Sequence, residues 1–298
     1  MGYKINLIFQ YLSFQHFLNC CVGFKMPKPI KSDFDYIMEK LCSGFSKVIV
    51  DRLEKAYDYA RKKHGQQKRK SSDVLYIVHP VRVAILVKES YINQKIPIGD
   101  KECRVLEAAL LHDVIEDCAK GDVYKIQVLS QEIESNFGST VLRLVHELTD
   151  DKTLKRWRRK VLQYANAKNK SNDARRIELA DKVDNCRDLQ RVPISTWTVN
   201  KIEGYFTWCY LIRIELGGIS PYLESEMDTV CRESFIDPQS GMPIPCIPES
   251  QLWHQTLYDY YAICAKEEKD EEAFQQYCDR RQNLCSADTQ SAPFVSIE

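Results

Sequence analysis

No C-x-x-C pair occurs among the 12 cysteines, so neither a zinc ribbon nor a thioredoxin-type redox site is indicated. Neither sign of charge is in excess: 42 Lys and Arg stand against 42 Asp and Glu. No global field therefore draws the chain to nucleic acid or to a membrane, and any anion binding has to be local. Long apolar runs are missing too. Residues 5–24 lean apolar, but Gln10, Gln15, His16 and Asn19 interrupt them. A spanning helix needs about 20 predominantly apolar residues, and a signal peptide needs an unbroken apolar core and a small-residue cleavage site. The stretch meets neither requirement and is read as dispensable for chemistry. Alternating β-branched runs long enough for a sheet are absent, as are internal repeats.

What is present is ordinary for a soluble globular protein: 44% hydrophobic and 28% charged residues over 298 positions. That length allows one large domain, or one domain with an appendage. A chain of this size needs no disulfide staples, and several cysteines sit inside helical patterns. Reduced, packed thiols in a cytoplasmic protein are expected.

Residues 1–33 are read as an extension and linker. From 34 to 232 almost everything has helical spacing. Val48, Ile49, Leu53, Ala56, Tyr57 and Ala60 recur at intervals of three and four. Pro80 suits the first turn of the next helix. Further helices are predicted over 101–117, 126–137 (ended by Gly138), 141–148 and 152–167. Two more follow: 174–191 with Asp173 as cap, and one from a Ser195 cap to Leu216. The fold class is all-α, a helical globule of about eight helices. Residues 233–249, with Pro238, Pro243, Pro245 and Pro248, read as a loop or linker. One appended helix is predicted over 250–284, and the last dozen residues of 233–298 read as a disordered tail.

The chemistry concentrates in two helical strings. His112-Asp113 follows the apolar run Val105 to Leu111, and Glu116 and Asp117 come next. Carboxylates so close repel one another unless a cation neutralises them. Asp181 lies in Leu179-Ala180-Asp181-Lys182-Val183-Asp184-Asn185, where a carboxylate among apolar neighbours needs a partner. His79 precedes Pro80 at the mouth of a helix. Alone, His79 fits a packed structural histidine, and Asp181 fits a partner of Lys182. Together, His79, His112, Asp113 and Asp181 make a two-imidazole, two-carboxylate set. Mixed nitrogen and oxygen donors without thiolate suit Mn²⁺ or another first-row divalent ion, with coordination positions left for water and substrate.

These strings resemble the HD superfamily of metal-dependent phosphohydrolases. More narrowly, they are similar to the hydrolase domain of RelA/SpoT proteins, above all its small stand-alone metazoan SpoT-homolog form. The matching segments are Ala60–His64, Tyr76–Pro80, Ala108–Asp117, Leu148–Leu154 and Leu179–Leu189, with coverage of about 45 to 220. The resemblance implies an HD-domain helical fold and hydrolysis of (p)ppGpp at the 3′-pyrophosphate to GDP or GTP and pyrophosphate. It implies one Mn²⁺ on His79, His112, Asp113 and Asp181, Glu116 and Asp117 as the acid/base and water-orienting pair, and Asn185 on the nucleotide sugar. Basic residues of the family align with Arg69, Lys70 and Arg156, which are taken as phosphate contacts. One departure stands out: Ser71 to Leu75, before Tyr76, has no glycine or proline.

The substrate is thus expected to be a small phosphorylated nucleotide, with no nucleic-acid or membrane partner. Two basic stretches could meet it, Arg61 to Lys70 and Lys152 to Arg176, the second holding Asp173 as its only acid. Lys201 and Tyr205 on the last core helix are candidates for phosphate and base. Tyr205 fits core packing equally well. Two other functions fit the residues: a phosphatase of another nucleotide such as NADPH on the same metal site, and a non-catalytic nucleotide-binding regulatory module. His64 is read as a helix-end cation, His146 as packing, and Cys118 and Cys186 as inert thiols beside the site.

Overall fold

The computed structural model describes residues 33–69 and 73–286. The apolar segment 5–24, the linker before Asp33, Lys70 with its loop, and the last dozen residues lie outside them. The chain separates into two units, Met1–Tyr36 and Ile37–Glu298. Of the first, only the opening turn of a helix is described, and the packing below is internal to the second.

Between Asp33 and Arg232 the described residues form eleven helices, more than the sequence pattern resolves. They are α1 (Asp33–Cys42), α2 (Lys47–His64), α3 (Val78–Asn93), α4 (Asp100–Leu111), α5 (Val114–Ala119) and α6 (Val123–Phe137). There follow α7 (Ser139–Leu148), α8 (Arg156–Asn166), α9 (Asn172–Arg191), α10 (Val199–Glu215) and α11 (Pro221–Arg232). The excess arises where a periodic stretch is interrupted. The helix predicted over 101–117 breaks at His112-Asp113 into α4 and α5. The caps also differ. Ser171, not Asp173, accepts from Ala174 N to open α9, and Thr198, not Ser195, accepts from Lys201 N to open α10. In each case a hydroxyl accepts from the backbone N–H three residues on, satisfying a free donor of the first turn. Gly138 separates α6 from α7 at a φ of 89°, a left-handed value that glycine adopts without steric cost.

Three helices form the core that carries the site. Val83, Ala84 and Val87 of α3, Leu106 and Ala108 to Leu111 of α4, and Ile177, Leu179, Ala180 and Val183 of α9 are fully buried. Helix α4 packs on α2, α3, α7 and α9, and α9 also packs on α3, α10 and α11. Burial of such side chains contributes about 1.5–3 kcal/mol each. Among the described residues, no helix is long and apolar enough to cross a membrane.

The proline-rich stretch is more structured than its composition suggests. It forms an antiparallel ribbon, β1 (Ser234–Ile236) with β2 (Pro243–Pro245), turned around the Asp237 carboxylate, which accepts from Gln239 N and Ser240 N. Phe235 is fully buried and stacks on Phe206 of α10. The prolines bring no conflict because a two-stranded ribbon has edges where no N–H is needed. The single helix predicted over 250–284 is two, α12 (Trp253–Glu267) and α13 (Glu271–Ser286), separated at Lys269 with φ 55°. Asp270 accepts from Ala273 N to start α13. Tyr260 of α12 is seated against Gly204 of α10, where an added Cβ would meet Tyr260 Cβ at 2.6 Å. Gly204→Ala is therefore expected to lower the unfolding free energy by about 1–3 kcal/mol through overpacking, measured by urea denaturation. An unchanged midpoint would show that α12 is not held at this contact.

Candidate active site

The site begins with a break in a helix. Helix α4 ends at Leu111, so His112 and Asp113 lie between two helical segments, beside His79 at the start of α3 and Asp181 at the middle of α9. His79, in the first turn of α3, is 1% exposed. Its neighbour Pro80 costs nothing there, because the first turn has no hydrogen bond for a proline to remove. Asp181 and Asp184 lie three residues apart on α9 and so share a face.

Each imidazole has one nitrogen tied down. His79 Nδ1 lies 2.7 Å from Asp184 Oδ2, and His112 Nδ1 lies 2.8 Å from the carbonyl of Ala109. Both partners only accept, so both Nδ1 atoms carry the proton and donate it. Both Nε2 atoms are buried without a hydrogen-bond partner among the described residues. They face carboxylates: His79 Nε2 is 3.0 Å from Asp181 Oδ1, and His112 Nε2 is 3.0 Å from Asp113 Oδ2. Asp113 Oδ2 is also 3.6 Å from His79 Nε2. Ligand atoms of His79, His112 and Asp181 all fall within 4.8 Å of one another. Lone pairs aimed at anionic oxygens repel, and a divalent cation between them removes the conflict, so the donor set fits such an ion. Without one, a proton serves: burial disfavours charge on His112, but the charges of Asp113 and Asp181 and its contacts with them outweigh that and raise its pKa well above the usual value.

The carboxylates are held from behind. Asp184 takes a bidentate pair from Arg82, Nε to Oδ1 at 2.7 Å and Nη2 to Oδ2 at 2.9 Å. Tyr76 donates its hydroxyl to Asp113 Oδ2 at 2.5 Å, and the Tyr76 ring packs on His64 at 4.9 Å. His64 is thus a buried prop of the site, where the sequence suggested only a helix-end cation. His146, read as packing, is exposed and bonds to Ser130.

Glu116 and Asp117 occupy α5, beside the cluster. Glu116 accepts from Asp150 N at 3.0 Å and pairs with Lys152 at 2.7 Å. Burial, then the charges of Asp150 and Asp113, raise its pKa above the ordinary glutamate value against the pull of Lys152. Asp117 accepts from Gln67 Nε2 at 2.8 Å and lies 3.4 Å from Lys152.

A cavity of about 400 Å³ opens over these residues. Arg69, Arg156, Asn185, Lys201 and Tyr205 all line it, as do His112, Asp113, Glu116, Asp117 and Asp181, while His79 lies behind. Arg69 donates to Asp188 and Asn185, and Asn185 donates to Asp181 at 2.6 Å. Arg156 and Lys201 each pair with Glu267 of α12. Tyr205 meets the rings of Trp197 at 5.8 Å and Trp208 at 5.6 Å.

An HD-domain family model matches residues 56–201. The human guanosine-3′,5′-bis(diphosphate) 3′-pyrophosphohydrolase MESH1 is 39% identical over 178 residues, covering 59% of this chain and 90% of that protein. The chain belongs to the MESH1 family of HD-domain proteins. The Drosophila melanogaster protein of the same name is 38% identical, again over 59% of this chain and 90% of the relative. A GTP pyrophosphokinase, rsh, of Brucella ovis is 35% identical over 46% of this chain but only 17% of its own length. A solved structure of a metazoan ortholog of SpoT, described as hydrolyzing ppGpp with a role in starvation responses, superposes with a TM-score of 0.52. It is 37% identical and covers 61% of this chain and 94% of its own.

In this MESH1-family chain, several residues of the site escaped sequence reasoning. Arg82 carried no sequence signal, and Asp150 and Asp188 stood within the matching segments without an assigned role. Glu267 sits in a charged run that resembles an exposed face. Only Asp184 carried a signal, standing three residues after Asp181 on one helical face. Asp184→Ala is expected to weaken divalent-metal binding about 10–100-fold, because it removes the acceptor that orients His79. Calorimetric titration of Mn²⁺ checks this, and unchanged affinity would remove His79 from the ligand set.

Proposed function

We propose that this protein is a metal-dependent hydrolase of (p)ppGpp, cleaving the 3′-pyrophosphate to leave GDP or GTP and pyrophosphate. The observation that carries the proposal is the pair of buried, unsatisfied His79 and His112 Nε2 atoms facing Asp113 and Asp181 at a cation-lined cavity. The relatives' activity supplies the substrate. The proposed metal is a single Mn²⁺, held by His79, His112, Asp113 and Asp181. Nitrogen and carboxylate donors without thiolate favour such an ion over structural zinc. When bound, it supplies water activation and charge neutralisation at phosphorus.

The chain's own residues do the rest. Glu116, more basic than an ordinary glutamate, accepts the proton of the attacking water, and Asp117 orients that water. The water oxygen bonds to phosphorus, the bond from phosphorus to the 3′-oxygen breaks, and the leaving oxygen takes the proton that Glu116 passes on. Lys152 pairs with both acids and holds them close. Arg69, Asn185 and Tyr205 are proposed to form the wall that takes sugar and base; Lys70, proposed as a phosphate contact, lies outside the described residues. The catalytic domain is assigned to 34–232, with 233–286 closing one wall. The cytoplasm is the proposed compartment, supported by the free thiols of nine cysteines from Cys42 to Cys278.

Purified protein is to be incubated with ppGpp and with NADPH, with Mn²⁺ and with chelator, beside a His112→Ala/Asp113→Ala control. GDP and pyrophosphate, formed only with metal and lost in the control, are the expected products. Orthophosphate from NADPH alone would move the substrate while keeping the site. No turnover of either, with metal bound, would favour a binding role. Glu116→Gln is expected to lower kcat about 10²–10⁴-fold. In the parent enzyme, activity should fall as pH drops through the raised Glu116 pKa, because the base must be ionised. A parent profile without that acid limb would assign the base elsewhere.

A further inference from the structure

The cavity wall is rich in cations, but almost all are already neutralised. Of the Lys and Arg side chains that line it, all but one form an ion pair with a carboxylate of the described residues. The exception is Lys160 of α8. Its Nζ lies 3.8 Å from the ring centre of Trp208 and 5.7 Å from that of Tyr205, both on α10. Helix α10 also fixes the backbone there, with Trp208 Nε1 donating to the Lys160 carbonyl at 3.0 Å. The aromatic faces hold the ammonium without neutralising it.

Two wall cations that sequence reasoning put forward for phosphate are engaged differently. Arg156 and Lys201 share Glu267, which α12 brings from outside the matched range 56–201. Glu268 anchors the same turn by accepting from Arg156 N at 2.8 Å and Trp157 N at 3.2 Å, so Glu267 is held at the cavity.

We propose that Lys160 receives a substrate phosphate in this cavity, and that Glu267 withholds Arg156 and Lys201 from that role. The inference deepens the hydrolase reading and rests on it for the identity of the anion. An ammonium seated on aromatic rings, with no carboxylate partner, offers its donors to a phosphoryl oxygen at little reorganisation cost. The charged and titratable groups around it are Lys182 of α9, Asp150, Tyr205 and Cys209 of α10, and Tyr260 and Cys264 of α12, with Arg156 and Arg159 on its own helix. The Asp150 carboxylate is occupied by Arg159 and Gln163, and Glu267 by Arg156 and Lys201. Burial, then the charge of Lys182, lowers the Lys160 pKa to about 8. Above that pH the free enzyme loses the cation, and anion binding should weaken.

The probe is sulfate, titrated by calorimetry against the full chain loaded with Mn²⁺. Lys160→Met keeps the stem on Trp208 and is expected to weaken sulfate binding at least about tenfold, in line with a lost charge-assisted contact of about 1.5–3 kcal/mol. Lys160→Arg should stay within about twofold of the parent and lose the decline that the parent shows as pH rises through 8. Should Lys160→Met fail to fold, that contrast in pH dependence decides the matter. Glu267→Gln is expected to tighten sulfate binding by freeing the two cations, and unaltered affinity would overturn that half. For ppGpp, Lys160→Met should raise KM about tenfold with little change in kcat. Sulfate affinity unchanged in Lys160→Met, or no saturable sulfate binding in the parent, overturns the role of Lys160 even if ppGpp is hydrolysed. Lys160-dependent sulfate binding without ppGpp turnover upholds it and moves the substrate.

Discussion

His79 stands with a carboxylate against each ring nitrogen, Asp184 2.7 Å from Nδ1 and Asp181 3.0 Å from Nε2, and both acids come from one face of α9. Such an arrangement is costly to bury, since each charge taken out of water loses several kcal/mol of solvation. It holds because Arg82 neutralises Asp184 bidentately, reaches Asp188, and thereby ties α3 to α9. Arg69 completes the chain through Asp188 and Asn185. One continuous network therefore runs from behind the proposed metal ligands to the cavity wall. Its members are coupled, so substitutions within it are not expected to add.

The same electrostatic constraint explains how a chain with no net charge presents a cationic cavity. Acids gathered for metal and proton chemistry draw cations to them. Lys152 faces Glu116 and Asp117, and Lys182 faces Asp181 and Glu178. A cation so engaged stabilises the site more than it attracts a ligand. Capture of an anionic substrate then depends on the groups left over, which is why a single ammonium on an aromatic shelf carries weight. The C-terminal helices enter here as part of the wall. Tyr260 and Cys264 line the cavity, and Glu267, Glu268 and Asp270 bind the start of α8.

Much of the candidate centre was legible before any coordinates. His79-Pro80, His112-Asp113 and Asp181 are local strings on apolar helices, and their donor types alone point to a divalent ion. Helix positions followed from spacing, but their ends did not. The break at His112-Asp113 interrupts a periodic run without glycine or proline, and Ser171 and Thr198 displaced the expected caps because packing sets where each helix begins. The ribbon at 234–245 was hidden by its prolines, which composition reads as a linker.

The amino-acid sequence by itself determined the helical class and marked the candidate ligands and the acids that accompany them, because these depend on residue type and on spacing within a turn or two. The tertiary structure decided the partners. Arg82 reaches Asp184 across 102 positions, Arg156 lies 111 positions from Glu267, and Trp208 holds Lys160 from 48 positions away. Charge pairing and cation–aromatic contact act over a few ångströms of space, and one-dimensional spacing carries no measure of that distance between separate helices.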